Sequence, residues 1–150
     1  MRALDQLNIA YTYAEYDTKD QQIDGVSVAQ KVGKPVETVF KTLVTQGHSK
    51  NYYVFVIPVA KELDLKKAAK ACGEKNVEMI PVKEINKVTG YIRGGCSPLA
   101  MKKHYTTFFD HSGQALSEIT CSAGKIGLQI SLQPQDLVQA CQGQWTELTK

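Results

Sequence analysis

The stretch Thr38-Val39-Phe40-Lys41-Thr42-Leu43-Val44 alternates as a strand does, yet it carries one ammonium among apolar residues. Successive strand side chains point to opposite faces, so Phe40, Thr42 and Val44 share one face while Val39, Lys41 and Leu43 share the other. Lys41 therefore falls on a face that otherwise reads apolar. Burying an unpaired charge is expensive. Such a lysine either snorkels to water along an edge strand or meets an anionic or carbonyl partner, and this stretch alone leaves both open.

A second stretch, Gly90-Tyr91-Ile92-Arg93-Gly94-Gly95-Cys96-Ser97-Pro98, runs a short strand signal into paired glycines, a serine and a proline. Adjacent glycines let backbone N–H groups approach a ligand without side-chain obstruction, and Pro98 fixes the exit while holding Ser97 extended. The loop suits main-chain binding of a carbonyl or a ribose hydroxyl. It suits an ordinary turn equally well.

The rest of the chain reads as short strands and short helices. A helix end covers Met1 to Leu7, and a strand with alternating tyrosines covers about Ile9 to Tyr16. Asp24 or Ser27 can cap a helix through Val32 that stops at Gly33, and Pro35 with Glu37 suggests a single turn before the lysine strand. Gln46 to Asn51 reads as a hairpin loop into the apolar strand Tyr52 to Val59, antiparallel to the first. Asp64 starts a helix that ends at Gly73, with Lys66, Lys67 and Lys70 outward, either solvated or facing phosphates. Val77 to Ile80 is a short strand, and Pro81 opens a helix ending at Gly90. Beyond the glycine loop, strands are expected at 106–110, 119–122, 127–131 and near Trp145, with a helix from Pro134 to Gly143. This alternation predicts an α+β domain with a mixed, curved sheet.

At 150 residues and 43% hydrophobic, the chain fits one globular domain, 1–150, with no internal repeat or linker. The net charge of +3 permits weak attraction to a polyanion without demonstrating it. No apolar run is long enough to cross a membrane, and Met1-Arg2-Ala3-Leu4-Asp5 does not begin a signal peptide, so a cytoplasmic protein is expected. Cys72, Cys96, Cys121 and Cys141 are scattered, with no Cys-x-x-Cys pair and no zinc spacing, and they read as reduced thiols. No Ser/His/Asp cluster, H-E-x-x-H motif or phosphate-binding glycine pattern is present, so neither metal nor cofactor is expected.

Together, Val39-Phe40-Lys41-Thr42-Leu43 and, some fifty residues on, Gly90-Tyr91 with Gly94-Gly95-Cys96-Ser97-Pro98 resemble the YbaK/EbsC family. These are the Cys-tRNA(Pro) deacylases of the prolyl-tRNA synthetase editing-domain superfamily. Tyr16, Val28-Ala29, Pro98-Leu99 with Lys102-Lys103, and the glycine-punctuated C-terminal strands extend the resemblance over nearly the whole chain. It implies a six- or seven-stranded partly closed barrel with peripheral helices. It also implies trans-editing of mischarged Cys-tRNA(Pro), with Cys-tRNA(Cys) as a further substrate, in a transient complex with prolyl-tRNA synthetase. Lys41 and Gly94 are the implied catalytic residues. Tyr16, Lys41, Thr42, Gly94, Gly95, Ser97 and Pro98 are the implied substrate-binding residues. In the implied chemistry the substrate's own thiol attacks its ester, so Cys96 need not act as a nucleophile.

Two other readings stand beside this one. A relative in the same superfamily would clear another amino acid, such as alanine. A non-catalytic module that binds tRNA or a synthetase would show the same scattered lysines and the same lack of a nucleophile.

Overall fold

The computed structural model describes residues 9–20, 25–90, 98 and 105–150. The predicted helix at 1–7 lies outside them, as do Gly94, Gly95, Cys96 and Ser97 of the glycine loop. The strands are β1 (Tyr11–Glu15), β2 (Phe40–Gly47), β3 (Tyr52–Pro58), β4 (Val77–Met79), β5 (Thr106–Asp110), β6 (Ile119–Lys125), β7 (Leu128–Leu132) and β8 (Gln144–Thr146). The helices are α1 (Gly25–Lys31), α2 (Leu65–Cys72), α3 (Ile85–Thr89) and α4 (Pro134–Cys141). Single 3-10 turns at Val36–Thr38 and Val82–Glu84 precede β2 and α3, and a longer one spans His111–Ala115.

The α+β class is as predicted, with eight strands where the resemblance implies six or seven. Among the described residues the strands make two sheets, β1-β7-β6 and β4-β2-β3-β5-β8, with no closed barrel. One parallel bridge, Val39 to Thr120, joins them. β4 pairs with β2 only over Thr45–Gly47, so the first half of β2 keeps no β4 neighbour, and β6 approaches there through Thr120.

The main core lies between the sheets. Phe40 and Val44 of β2, Val54 and Val56 of β3, and Phe109 of β5 face Ile119, Cys121, Ile130 and Leu132 of β6 and β7. A second core on the other side of the larger sheet packs Phe55, Ile57 and Phe108 beneath Ala68 and Ala69 of α2. Each large apolar side chain so buried contributes about 1.5–3 kcal/mol.

Local chemistry sets the element ends. The Asp64 carboxylate accepts from the N–H groups of Lys66 (2.9 Å) and Lys67 (3.2 Å), capping α2, and Gly73 ends it at φ 73°. α4 ends differently from expectation. Gln142, not Gly143, takes the left-handed turn at φ 54°. Gly143 is small for packing instead, since a Cβ there would lie 2.6 Å from the Phe109 ring. At the far end of the β2–β3 hairpin, the Glu74 carboxylate accepts from Ser49 N–H (3.1 Å), from the Ser49 hydroxyl and from Tyr53 O–H (2.6 Å).

Candidate functional site

Lys41 lies opposite Ile57 across the β2–β3 ladder, and Leu43 lies opposite Phe55, so both share the face that carries the α2 core. Thr42 lies opposite Val56 and points the other way, toward the core between the sheets. The two adjacent residues predicted for one site therefore present their side chains to opposite faces. Lys41 is half-buried, and its ammonium makes no hydrogen bond or ion pair with any described residue.

The Val39–Thr120 bridge decides what Lys41 faces. Residues paired across strands present side chains to the same side, and two residues further on in these parallel segments come Lys41 and Ser122. Ser122 pairs with Gln129 across the β6–β7 ladder, and Gln129 pairs with Ala14 across β7–β1. Ser122, Gln129 and Ala14 thus form one row across β6, β7 and β1, and Lys41, two residues beyond the bridge, continues it on the same face, away from the main core. Tyr16 extends β1 on that same face, its N–H bonding to Gly127 C=O at 3.0 Å.

This face is polar and nevertheless covered. Thr120, Ser122, Gln129 and Ser131 are all buried. Ala29 of α1 packs with Val36, Val39 and Val59 at its edge, close to the bridge. Lys31 fastens α1 to the chain beyond Tyr16 by bonding Asp17 C=O and the Asp20 carboxylate, both at 2.7 Å. Lys34 pairs with Glu118, just before β6, at 2.7 Å.

Most of the buried polar atoms on this face satisfy one another. The Thr120 and Ser131 hydroxyls lie 2.6 Å apart, and the Ser122 hydroxyl oxygen accepts from Gly124 N–H at 3.1 Å. Three atoms among the described residues are buried without a hydrogen-bond partner: Tyr16 O–H and Gln129 Oε1 on this face, and Thr42 Oγ1 on the opposite one. Native proteins rarely leave such groups unpaired, and exceptions accumulate where ligands bind. Tyr16 and Thr42 are two of the residues predicted from sequence, and Gln129 was not. Gln129 and Ser131 alternate with Leu128, Ile130 and Leu132, a pattern that normally marks a face turned to water, and the burial of that face depends on pairings distant in sequence.

Pro98, the exit of the glycine loop, is buried, with its carbonyl 3.5 Å from Cys141 Sγ. Cys141 belongs to the core between the sheets, and so does Val88 at the other end of the loop. Among the described residues no thiol is primed as a nucleophile. Burial pushes Cys121 up to about 12 and holds Cys141 and Cys72 above the ordinary thiol range. No group of three or more described His, Cys, Asp or Glu residues could hold a metal ion. No helix among the described residues is long and apolar enough to cross a membrane.

Residues 23–140 match the family described as the aminoacyl-tRNA editing domain. The chain belongs to that family. A protein of Enterococcus faecalis provisionally named Cys-tRNA(Pro)/Cys-tRNA(Cys) deacylase EbsC is 44% identical over 149 residues, covering 99% of this chain and 91% of the relative. Among solved structures, one described as a provisional trans-editing enzyme for prolyl tRNA synthetase superposes with a TM-score of 0.88 at 22% identity, covering 99% of this chain and 93% of that one. The hypothetical protein APE2540 superposes with a TM-score of 0.90 at 18% identity, covering 99% and 97%. At such identities these structures establish the editing-domain fold alone. On that fold, the face that Lys41 shares with Ser122, Gln129 and Tyr16 carries the candidate site, and Pro98 lies on the other side, against Cys141.

Proposed function

We propose that this protein is a trans-editing aminoacyl-tRNA deacylase that clears Cys-tRNA(Pro), with Cys-tRNA(Cys) as a further substrate. The observation that carries the reading is Lys41, a half-buried ammonium without a partner among the described residues, set in a row of buried polar side chains of which one amide is also unpaired. The identity of 44% to the Enterococcus faecalis deacylase over 99% of this chain supports the substrate class. Residues 1–150 act in this reading as one cytoplasmic domain, with β2 and β6 working as a single curved surface like part of a barrel. A transient complex with prolyl-tRNA synthetase would deliver the substrate, as the sequence resemblance implies.

The chemistry needs no protein nucleophile. The cysteinyl thiolate sulfur attacks the carbonyl carbon of its own ester. A C–S bond forms, the C–O bond to the ribose breaks, and the ribose oxygen takes up a proton. The products are free tRNA and cysteine thiolactone. An intramolecular attack gains several kcal/mol from proximity and orientation, so binding in the correct pose is most of the task. Lys41 orients the terminal adenosine or its phosphate. The backbone N–H groups of Gly94 and Gly95, with Ser97, hold the ester or ribose end, Pro98 fixes the loop's exit, Tyr16 lines the face that Lys41 shares, and Thr42 contacts substrate from the opposite face of β2.

Incubating the purified protein with Cys-tRNA(Pro), Cys-tRNA(Cys) and Ala-tRNA(Pro) tests this. The reading predicts release from both cysteinyl substrates, with the thiolactone detected by mass. Preferential release of alanine would assign another specificity, and no release from any of them would make the protein a binding module.

A further inference from the structure

On the covered face the Gln129 amide oxygen, like the Tyr16 O–H, is buried without a partner. Gln129 as a whole is 5% exposed. Its neighbours show that the face can satisfy its own polar atoms, since Thr120 pairs with Ser131 and Ser122 takes Gly124 N–H. A buried acceptor left open amid satisfied neighbours is placed for a donor that arrives from outside.

We infer that Gln129 is a specificity residue that accepts a hydrogen bond from the α-amino group of the aminoacyl ester, an inference that rests on the deacylase reading above. Gln129 pairs with Ser122 on the neighbouring strand, about 4.8 Å away, and Lys41 lies on the same face two residues beyond the Val39–Thr120 bridge. The long side chains of Lys41 and Gln129 can converge over Ser122. The row then offers a cation at one end and an acceptor at the other. An aminoacyl ester carries the opposite arrangement, with electron-rich ester and phosphate oxygens and an electron-poor amino group. Like-charge repulsion keeps the substrate's ammonium away from Lys41 and turns it toward Gln129. An amide suits this position better than a carboxylate, which would pair with Lys41 and quench the charge that the ester end needs.

The test uses uncleavable ligands, so that binding is read apart from chemistry. One is the amide analogue of cysteinyl-adenosine; the other is the same molecule with hydrogen in place of the α-amino group. Calorimetry on the intact protein should show the amino form binding roughly tenfold or more tightly than the des-amino form, the scale of a hydrogen bond to a charged group. Gln129→Leu should erase that preference, leave des-amino binding unchanged, and keep or raise the melting temperature. Gln129→Met serves as a second variant should leucine fold poorly. A preference that survives the substitution, no preference in the unaltered protein, no binding of either ligand, or an equal loss for both ligands with a lower melting temperature would each overturn the inference. Failure to deacylate Cys-tRNA(Pro) while the amino preference holds would instead count against the proposed function.

Discussion

The backbone of Val39 pairs with that of Thr120 in a parallel bridge, and on that single pairing the two sheets share a face. The Thr120 side chain is tied in turn to Ser131, with the two hydroxyls 2.6 Å apart and both residues buried. Thr120→Val would leave the Ser131 oxygen buried and unpaired, which costs about 1–3 kcal/mol. The expected result is a lower urea midpoint, with much of the loss recovered in the double variant Thr120→Val/Ser131→Ala. A single variant as stable as the parent would mean that the hydroxyl pair contributes nothing.

Thr42 should respond with the opposite sign. Its hydroxyl is already buried without a partner, so the near-isosteric Thr42→Val removes an unsatisfied group and leaves the packing in place. Stability should hold or rise by up to about 1 kcal/mol, while deacylation falls if the hydroxyl contacts substrate. A destabilisation of similar size would show instead that the hydroxyl has a partner inside the protein.

The hairpin staple makes stability depend on pH. Hydrogen bonds from Ser49 and then Tyr53 hold the Glu74 carboxyl below its ordinary value of 4.5. A depressed folded-state pKa stabilises above the unfolded value, and that contribution disappears as the pH falls through the folded one. The gap in urea midpoint between the unaltered protein and Glu74→Ala should therefore be full at neutral pH and should close as the pH drops below 4.5. A gap that stays constant into acid would show that Glu74 acts by packing, for instance against Gly47, where a Cβ would meet its side chain.

Local signals carried much of this fold. The Asp64 cap, the Gly73 stop, Pro134 at the start of α4 and the alternation of Phe40 to Val44 are decided by neighbours in sequence, and the structure has them as expected. Lys41 stood out because a charge interrupts an apolar face. Gln129 did not, because a polar residue alternating with Leu128 and Ile130 normally marks a face turned to water. Its burial is set by elements distant in sequence, the pairings of Ser122 with Gln129 and of Val39 with Thr120 and the packing of α1 at its edge. Gly143 was legible as a break, but its reason, the nearness of the Phe109 ring, lies in another element. The opposed directions of Lys41 and Thr42 followed from the alternation itself, although the resemblance placed both at one site.

Cys96→Ala separates a protein nucleophile from a substrate one. The variant should deacylate Cys-tRNA(Pro) at close to the unaltered rate. The unaltered protein should act far more slowly on Ser-tRNA(Pro), because a hydroxyl is a much weaker nucleophile near neutral pH than a thiol. A cysteinyl-enzyme trapped on Cys96 would contradict the proposed chemistry.

The most direct test of the account is single-turnover deacylation of Cys-tRNA(Pro) by Lys41→Ala, with the melting temperature measured on the same sample. Lys41 has no partner among the described residues, so its removal should leave folding intact while the rate falls by roughly 100-fold, the scale of one lost charge-assisted contact. Lys41→Arg should not restore the rate, because a planar fork does not replace a compact ammonium. Turnover at the unaltered rate in Lys41→Ala, or a large drop in melting temperature with turnover preserved, would contradict the account.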